Sequence, residues 1–179
     1  MDYATDHTPH ADAIATLFTD TFAASEGPDE GALIGGLVQR LLADTPDGDL
    51  TVFTAREDGM LVGGILFTRL TYDGDSRRVV LMAPVAVATQ TQGRGIGQAL
   101  ITHGLDAMRQ SGADIAVTYG DPAYYGRVGF QPVTQDVLAA PYDLQFPEGW
   151  QAQSLTKAPL TPVKGPARCV AAFDDPVYW

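Results

Sequence analysis

The chain has little cysteine and no long apolar run. Cys169 is the only cysteine in 179 residues, so a disulfide within the chain and a cysteine-rich zinc site are both excluded. The longest apolar run covers residues 79–88 and is too short to cross a bilayer, and the polar first ten residues lack the pattern of a signal peptide. We therefore expect a cytoplasmic protein with no metal and no membrane partner.

Basic residues are also scarce. The chain has 22 acidic and 11 basic residues, which gives a formal charge of −11 at pH 7. Because an acidic surface repels phosphate backbones, we do not expect nucleic acid as a partner. The length and the 45% hydrophobic content are typical of one compact domain with its own core, so we expect a single domain over residues 1–179.

The hydrophobic pattern predicts a mixture of helices and strands. In chain order these are a helix that starts near Thr8-Pro9, a helix between residues 28 and 46, strands over 50–54, 60–72 and 77–87, a helix over 96–110, a strand over 115–118 and a short helix over 122–127. The core is expected over about 1–133. Residues 134–179 are proline-rich and are expected to be irregular, apart from a terminal strand near 169–173.

The strand over residues 77–87 is apolar at almost every position, which indicates a central strand covered on both faces. Pro84 lies inside it. Because proline cannot donate a hydrogen bond to a sheet, we expect the strand to splay near Pro84.

Gly93 and Gly95 stand immediately before the helix over 96–110, and a third glycine, Gly97, lies in its first turn. The free N–H groups at a helix N-terminus bind anionic oxygens, and Arg94 adds a planar cation suited to phosphate. The turn therefore predicts a pyrophosphate site, with a turn that needs glycine only for packing as the alternative. The ATP-binding P-loop and the dinucleotide G-x-G-x-x-G pattern both fail here, since no Lys-Ser or Lys-Thr follows and Gln98 stands at the third glycine position.

Two motifs resemble those of the GNAT superfamily of N-acetyltransferases. Residues 92–97, after the strand that ends Val85-Ala86-Val87, are similar to its Q/R-x-x-G-x-G/A acetyl-CoA signature, and residues 124–130, YYGRVGF, are similar to its Y-x-x-x-G-F segment. The sequence around the second motif resembles that of a bacterial subgroup of predicted N-acetyltransferases. The resemblance implies an α/β fold of the α+β type, in which helices flank both faces of a mixed, mostly antiparallel sheet with a splayed central strand.

The resemblance also implies an activity, the transfer of an acetyl group from acetyl-CoA to a primary amine of a small molecule or peptide. Its donor-binding residues correspond to Val85, Ala86 and Val87 for the pantetheine arm and to Gln92, Gly93, Arg94, Gly95, Ile96, Gly97 and Gln98 for the pyrophosphate. The backbone of Val85 or Val87 would stabilise the oxyanion. Acyl length, acceptor identity and the choice between monomer and homodimer stay open.

For the catalytic groups, the sequence indicates a general acid but no clear general base. Tyr125 aligns with the general acid of the family, which protonates the leaving thiolate, and Tyr124 is expected to pack. Many members carry a glutamate base on the fourth strand, but residues 77–87 contain no acid. Asp121 is the remaining candidate base, with helix capping as its alternative, and Glu57 is expected to lie in a solvated hairpin turn. A non-catalytic acyl-CoA-binding module is therefore the alternative function.

Overall fold

Four helices and eight strands make up the regular structure of the chain, in a computed structural model that describes residues 1–179. The helices are α1 (Ala11–Glu26), α2 (Pro28–Asp44), α3 (Ile96–Gln110) and the single turn α4 (Pro122–Tyr125). The strands are β1 (Asp2–Ala4), β2 (Leu50–Glu57), β3 (Met60–Tyr72), β4 (Asp75–Val87), β5 (Ile115–Tyr119), β6 (Gln131–Pro132), β7 (Trp150–Ser154) and β8 (Ala167–Arg168). No helix combines the length and the apolar composition that a membrane span requires.

The strands form one mixed sheet in the order β1-β2-β3-β4-β5-β7-β6, and β8 pairs with β3. Strands β4 and β5 are parallel, whereas β1 with β2, β3 with β8, and β7 with both β5 and β6 are antiparallel. The parallel pairing ends at Leu81 and Val117, three residues before Pro84. The predicted α/β fold with a mostly antiparallel sheet and a splayed central strand is confirmed.

The chain divides into two compact units, and each is described by itself. The first contains residues 1–67 and 84–104, and the second contains residues 68–83 and 105–179. The single domain expected over residues 1–179 stays a prediction.

In the first unit, α1 and α2 pack closely against each other because α2 carries glycine at the contact. A Cβ at Gly31 would lie 2.6 Å from the Cβ of Ala23, and a Cβ at Gly35 would collide with the hydroxyl of Thr19. The core of this unit is formed by buried side chains of both helices and of the strands, among them Ile14, Phe18, Leu37, Leu41, Val52, Phe53, Ile65 and Phe67.

In the second unit, β7 is a strand that the sequence did not predict. It pairs with β5 from Ile115↔Ser154 to Tyr119↔Trp150, inside the segment that was expected to be irregular. The terminal strand expected near 169–173 is wrong, since β8 covers only Ala167–Arg168 and residues 171–173 form a 3-10 turn. That turn lets the Trp179 indole donate to the Phe173 carbonyl at 3.0 Å, which seats Trp179 in the core.

Candidate active site

The turn between β4 and α3 owes its glycines to backbone conformation. Gly93 has φ +75° and Gly95 has φ +78°, in the left-handed region that side chains disfavour. An added Cβ at either position would meet no atom within 4 Å. Packing therefore does not account for these two glycines, and the space beside them is open to a ligand.

Backbone amides are available at the start of α3. The first helical hydrogen bond is donated by the Ala99 amide to the Gly95 carbonyl at 3.0 Å. The amides of Ile96, Gly97 and Gln98 precede this bond and have no acceptor within the helix. Residues 92–95 are exposed, and the first turn of α3 carries no acidic side chain. The helix dipole and these amides together favour an anion at this end.

Side-chain hydrogen bonds attach the turn to the end of β4. The Gln92 amide nitrogen donates to the Val87 carbonyl at 2.9 Å, and the Thr91 hydroxyl donates to the Ala88 carbonyl at 2.9 Å. The Ala88 amide in turn donates to the Val62 carbonyl of β3 at 2.9 Å. Gln92, which the sequence assigned to the donor-binding set, therefore also fixes the geometry of the turn.

The three residues at the end of β4 alternate in burial. Ala86 is buried, whereas Val85 and Val87 on either side of it are only half-buried. This alternation is typical of a strand that packs one face on the core, so the other face of Val85 and Val87 stays accessible. The pantetheine-binding residues that the sequence predicts thus directly precede the glycine turn in the same compact unit.

Arg94 forms a bidentate ion pair that the sequence did not reveal. Its Nη1 and Nη2 atoms donate to Oε2 and Oε1 of Glu57 at 2.8 and 2.7 Å. Hydrogen bonding from Arg94, and then its charge, hold the pKa of the Glu57 carboxyl below its usual range. Glu57 lies at the β2–β3 hairpin and is 33% exposed, as expected of a solvated turn, but its carboxylate is also paired with the Arg94 guanidinium.

In the second unit, Tyr125 lies on α4 with its ring against Gly120. An added Cβ at Gly120 would be 2.9 Å from the Tyr125 ring, and the Phe130 ring packs edge-on at 6.0 Å. Burial raises the pKa of Tyr125 to about 12, and its hydroxyl is hydrogen-bonded to Thr118. The Thr118 hydroxyl donates to the Met82 carbonyl at 2.9 Å. The contact with Thr118 lowers the Tyr125 pKa and so opposes part of the rise that burial causes.

Asp121 caps the short helix α4. Its Oδ1 accepts a hydrogen bond from the Ala123 amide at 2.8 Å, which is the capping alternative that the Asp-Pro sequence offered. The role of Asp121 as a base stays a prediction. No group of three or more His, Cys, Asp or Glu side chains is arranged to hold a metal ion.

The loop that leads from β5 to Asp121 is held by residues that carried no signal in the sequence. The buried Gln151 donates through Nε2 to the carbonyls of Gly120 and Gly149 at 3.1 and 3.2 Å. The Phe146 amide donates to the Tyr119 hydroxyl at 2.7 Å. These bonds fix the segment directly before α4, so Tyr125 is attached to a well-braced loop.

Both tryptophans of the irregular segment are core residues. Trp150 and Trp179 are fully buried, and their rings pack edge to face at 6.0 Å. Packing, rather than an acceptor pocket, therefore explains both tryptophans. Phe146, in contrast, is 63% exposed and faces solvent.

Comparison with known proteins matches this arrangement to a family. Residues 11–130 match the family model described as Acetyltransferase (GNAT) family. Over 138 residues the chain is 38% identical to the uncharacterized N-acetyltransferase YjhQ of Escherichia coli strain K12. This matched region covers 74% of this chain and 76% of that protein. The match of residues 11–130 includes both the glycine turn and Tyr125.

Two solved structures are similar over nearly the whole chain. The GNAT family N-acetyltransferase YhbS from Escherichia coli, in complex with CoA, has a TM-score of 0.82 at 27% identity and covers 97% of this chain and 92% of that chain. A GNAT family acetyltransferase from Brucella melitensis, in complex with acetyl-CoA, has a TM-score of 0.75 at 27% identity and covers 97% of both chains.

Proposed function

This chain belongs to the GNAT family of N-acetyltransferases, and we propose that it transfers an acetyl group directly from acetyl-CoA to a primary amine. The observation that carries this proposal is the exposed glycine turn before α3, whose left-handed glycines leave open space beside free helical amides. Two similar GNAT structures contain CoA or acetyl-CoA, which supports the same donor here.

The donor is proposed to bind along β4 and the turn. The pantetheine arm would add as a strand beside Val85, Ala86 and Val87, and the pyrophosphate would accept hydrogen bonds from the turn and the start of α3. The residues proposed for the pyrophosphate are Gln92, Gly93, Arg94, Gly95, Ile96, Gly97 and Gln98. An amide of Val85 or Val87 would stabilise the negative charge that develops on the thioester oxygen.

The proposed reaction needs one proton donor and one proton acceptor. The amine nitrogen attacks the thioester carbon, so that a C–N bond forms, the C–S bond breaks and the sulfur leaves as thiolate. Tyr125, whose raised pKa of about 12 keeps it protonated at neutral pH, is proposed to give its proton to that sulfur. Asp121, which caps α4 through Oδ1 only, is proposed to accept the proton that the amine loses, either directly or through a water molecule.

The proposed acceptor is an amine that is cationic before it reacts. The junction of α1 and α2 carries Glu26 and Glu30, and the pKa of Glu26 is raised by burial and then by the charge of Glu30. Such a site attracts a cation, as does the net charge of −11. We propose a cytoplasmic location. A monomer and a homodimer both fit this chemistry, because one chain supplies all the proposed groups.

Calorimetric titration of acetyl-CoA and CoA tests the donor site directly. The wild-type protein is expected to bind both in the micromolar range, and Gly95→Ala to weaken binding by about tenfold, equivalent to about 1.4 kcal/mol, because the methyl group strains the turn and covers its amides. Gly112→Ala is the matched control, since Gly112 has φ +85° and equally open surroundings but lies at the end of α3.

Each outcome of this titration has a clear meaning. An equal loss of binding in both variants, or no binding by the wild-type protein, would refute the proposed donor site. If the wild-type protein binds CoA, a screen of amines for CoA release follows. Tight binding without turnover of any amine would support the non-catalytic module instead.

A further inference from the structure

The Glu57–Arg94 pair occupies the side chain that is proposed to contact phosphate. Arg94 stands between the two left-handed glycines of the turn, and both of its terminal nitrogens donate to the Glu57 carboxylate at 2.8 and 2.7 Å. This two-point geometry is the one that guanidinium groups also use to bind a phosphate group. The chain therefore supplies its own anion at the position where the donor needs a cation.

We propose that Glu57 is an internal competitor of the donor phosphates for Arg94, and that this competition sets the affinity for acetyl-CoA and CoA. The inference rests on the proposed function, because it assumes that acetyl-CoA binds at the glycine turn. It adds an affinity-determining residue that lies on the β2–β3 hairpin and outside both sequence motifs.

The competition follows from the charges and the donors involved. Glu57 occupies the end of the guanidinium between its two terminal nitrogens, so a phosphate that binds Arg94 at this end must displace the carboxylate. The carboxylate also cancels the positive charge of Arg94, which is the only formal charge in the turn sequence QGRGIG. An incoming diphosphate therefore meets a neutral pair in place of a cation, and its attraction to the turn is reduced.

The Glu57–Arg94 pair is exposed enough for Arg94 to exchange the Glu57 carboxylate for a phosphate. The side chains of Arg94 and Glu57 are 52% and 33% exposed, so water solvates both groups when they separate. Their bond is therefore weak enough to be replaced by a pyrophosphate, which carries two negative charges. Because arginine does not lose its proton at physiological pH, the exchange changes partners without changing protonation.

The neighbouring residue provides a matched control. Asp58 lies on the same hairpin turn, is exposed and makes no contact with Arg94 among the ion pairs of the chain. Asp58→Asn and Glu57→Gln each remove one negative charge from the same turn. Only Glu57→Gln releases Arg94, so a difference between the two variants measures the competition and not the total charge.

The test is calorimetric titration of CoA and of phosphate-free pantetheine into the wild-type protein and four variants. Glu57→Gln is expected to bind CoA about threefold to tenfold more tightly than the wild-type protein, and Asp58→Asn less than twofold more tightly. Arg94→Ala is expected to bind more weakly, and the double variant Glu57→Gln/Arg94→Ala to match Arg94→Ala, since the competitor has lost its target. Pantetheine affinity is expected to stay the same in all of them.

The contrary results are distinct from one another. If Glu57→Gln binds CoA with unchanged or weaker affinity, the inference is wrong, and Glu57 either has no role or positions Arg94 for the donor. An equal gain with Asp58→Asn would assign the effect to net charge and also overturn the inference. If the wild-type protein does not bind CoA, the proposed function fails first. Thermal unfolding of each variant verifies that the compared proteins are folded.

Discussion

The surroundings of Tyr125 favour the protonated form of its hydroxyl, because the residue is largely buried. Its ring packs against Gly120 and edge-on against the Phe130 ring within the second unit. Thr118 is fully buried, and burial also raises the Tyr125 pKa to about 12. The group is therefore a proton donor throughout the physiological range and is never a base there.

Replacing Tyr125 by Phe tests this role. The change removes one oxygen, and we expect kcat for acetyl transfer to fall about a hundredfold because the thiolate loses its proton donor. The Kd for CoA is expected to stay within about twofold, since Tyr125 is not assigned to donor binding. Steady-state kinetics and calorimetry measure the two quantities.

Tyr124→Phe is the matched control for this variant. Its ring packs edge-on against Tyr125 at 5.1 Å, but its hydroxyl has no proposed role. It should keep nearly the full kcat. A wild-type kcat in Tyr125→Phe, or an equal loss in both variants, would contradict the assignment. Because the pKa of Tyr125 is raised, ionisation of its hydroxyl should also not lower wild-type kcat below about pH 10.

At the scale of elements, one arginine connects the start of β4 to the irregular segment that follows β7. Arg77 donates to Asp75 at 2.9 and 2.6 Å, to the carbonyl and hydroxyl of Thr161 at 3.1 and 2.9 Å, and to the Pro162 carbonyl at 2.8 Å. All five guanidinium N–H groups are therefore used. Asp75 keeps the fork oriented, so the segment depends on this carboxylate for its attachment.

We expect Asp75→Asn to lower the free energy of unfolding at pH 7 by about 1–2 kcal/mol, a range that discounts a charged hydrogen bond for partial exposure. The hydrogen bonds from Arg77 depress the pKa of Asp75 in the folded state. Its stabilisation is therefore complete above the unfolded pKa, near 3.8, and is lost as the pH falls further toward the folded pKa. The gap between wild type and variant should shrink below about pH 4.

Urea unfolding at pH 7 and pH 3 measures this difference. Asp73→Asn is the control, because Asp73 also pairs with an arginine, Arg168, but both side chains are more than half exposed. That variant should unfold like the wild-type protein. An Asp75→Asn protein as stable as wild type at pH 7 would show that the Arg77 contacts do not depend on the carboxylate.

Elements with a long hydrophobic pattern were predictable from the sequence. The predicted bounds of β3 and α3 agree with the structure because thirteen and fifteen residues carry an uninterrupted periodicity. Strand β7 was missed because Gln151 and Gln153 interrupt its apolar pattern, and the acceptors of the buried Gln151 amide include the Gly120 carbonyl, which is 31 positions away in the sequence. The edge strand β1 was missed because it has three residues and no buried side chain.

The candidate site also contains features that were predictable from the sequence and one that was not. The glycine turn and Tyr125 were predictable because each belongs to a short contiguous motif. The Glu57–Arg94 pair joins residues 37 positions apart, and although Arg94 stands in the glycine motif, nothing in the sequence indicates Glu57 as its partner. Pairings of this kind depend on which hairpin approaches which turn, and a single sequence does not specify that.

At the scale of the whole molecule, the net charge of −11 opposes the approach of an anionic donor. Long-range repulsion of this kind is screened by salt, since the Debye length falls from about 30 Å at 0.01 M to about 8 Å at 0.15 M ionic strength. The pairing of Arg94 with Glu57 leaves little local positive field at the turn to offset the repulsion. The association rate, more than the stability of the bound state, should therefore respond to salt.

We expect the association rate constant of CoA to rise about twofold to fivefold between 0.01 and 0.15 M salt, measured by stopped-flow mixing. Phosphate-free pantetheine is the control and should show no trend, because it carries no charge for the protein to repel. In Glu57→Gln the rise should be smaller, since the released Arg94 adds a local attraction that salt weakens. A wild-type rate that falls with salt would mean that the turn is electropositive, and that the local field outweighs the charge of the molecule.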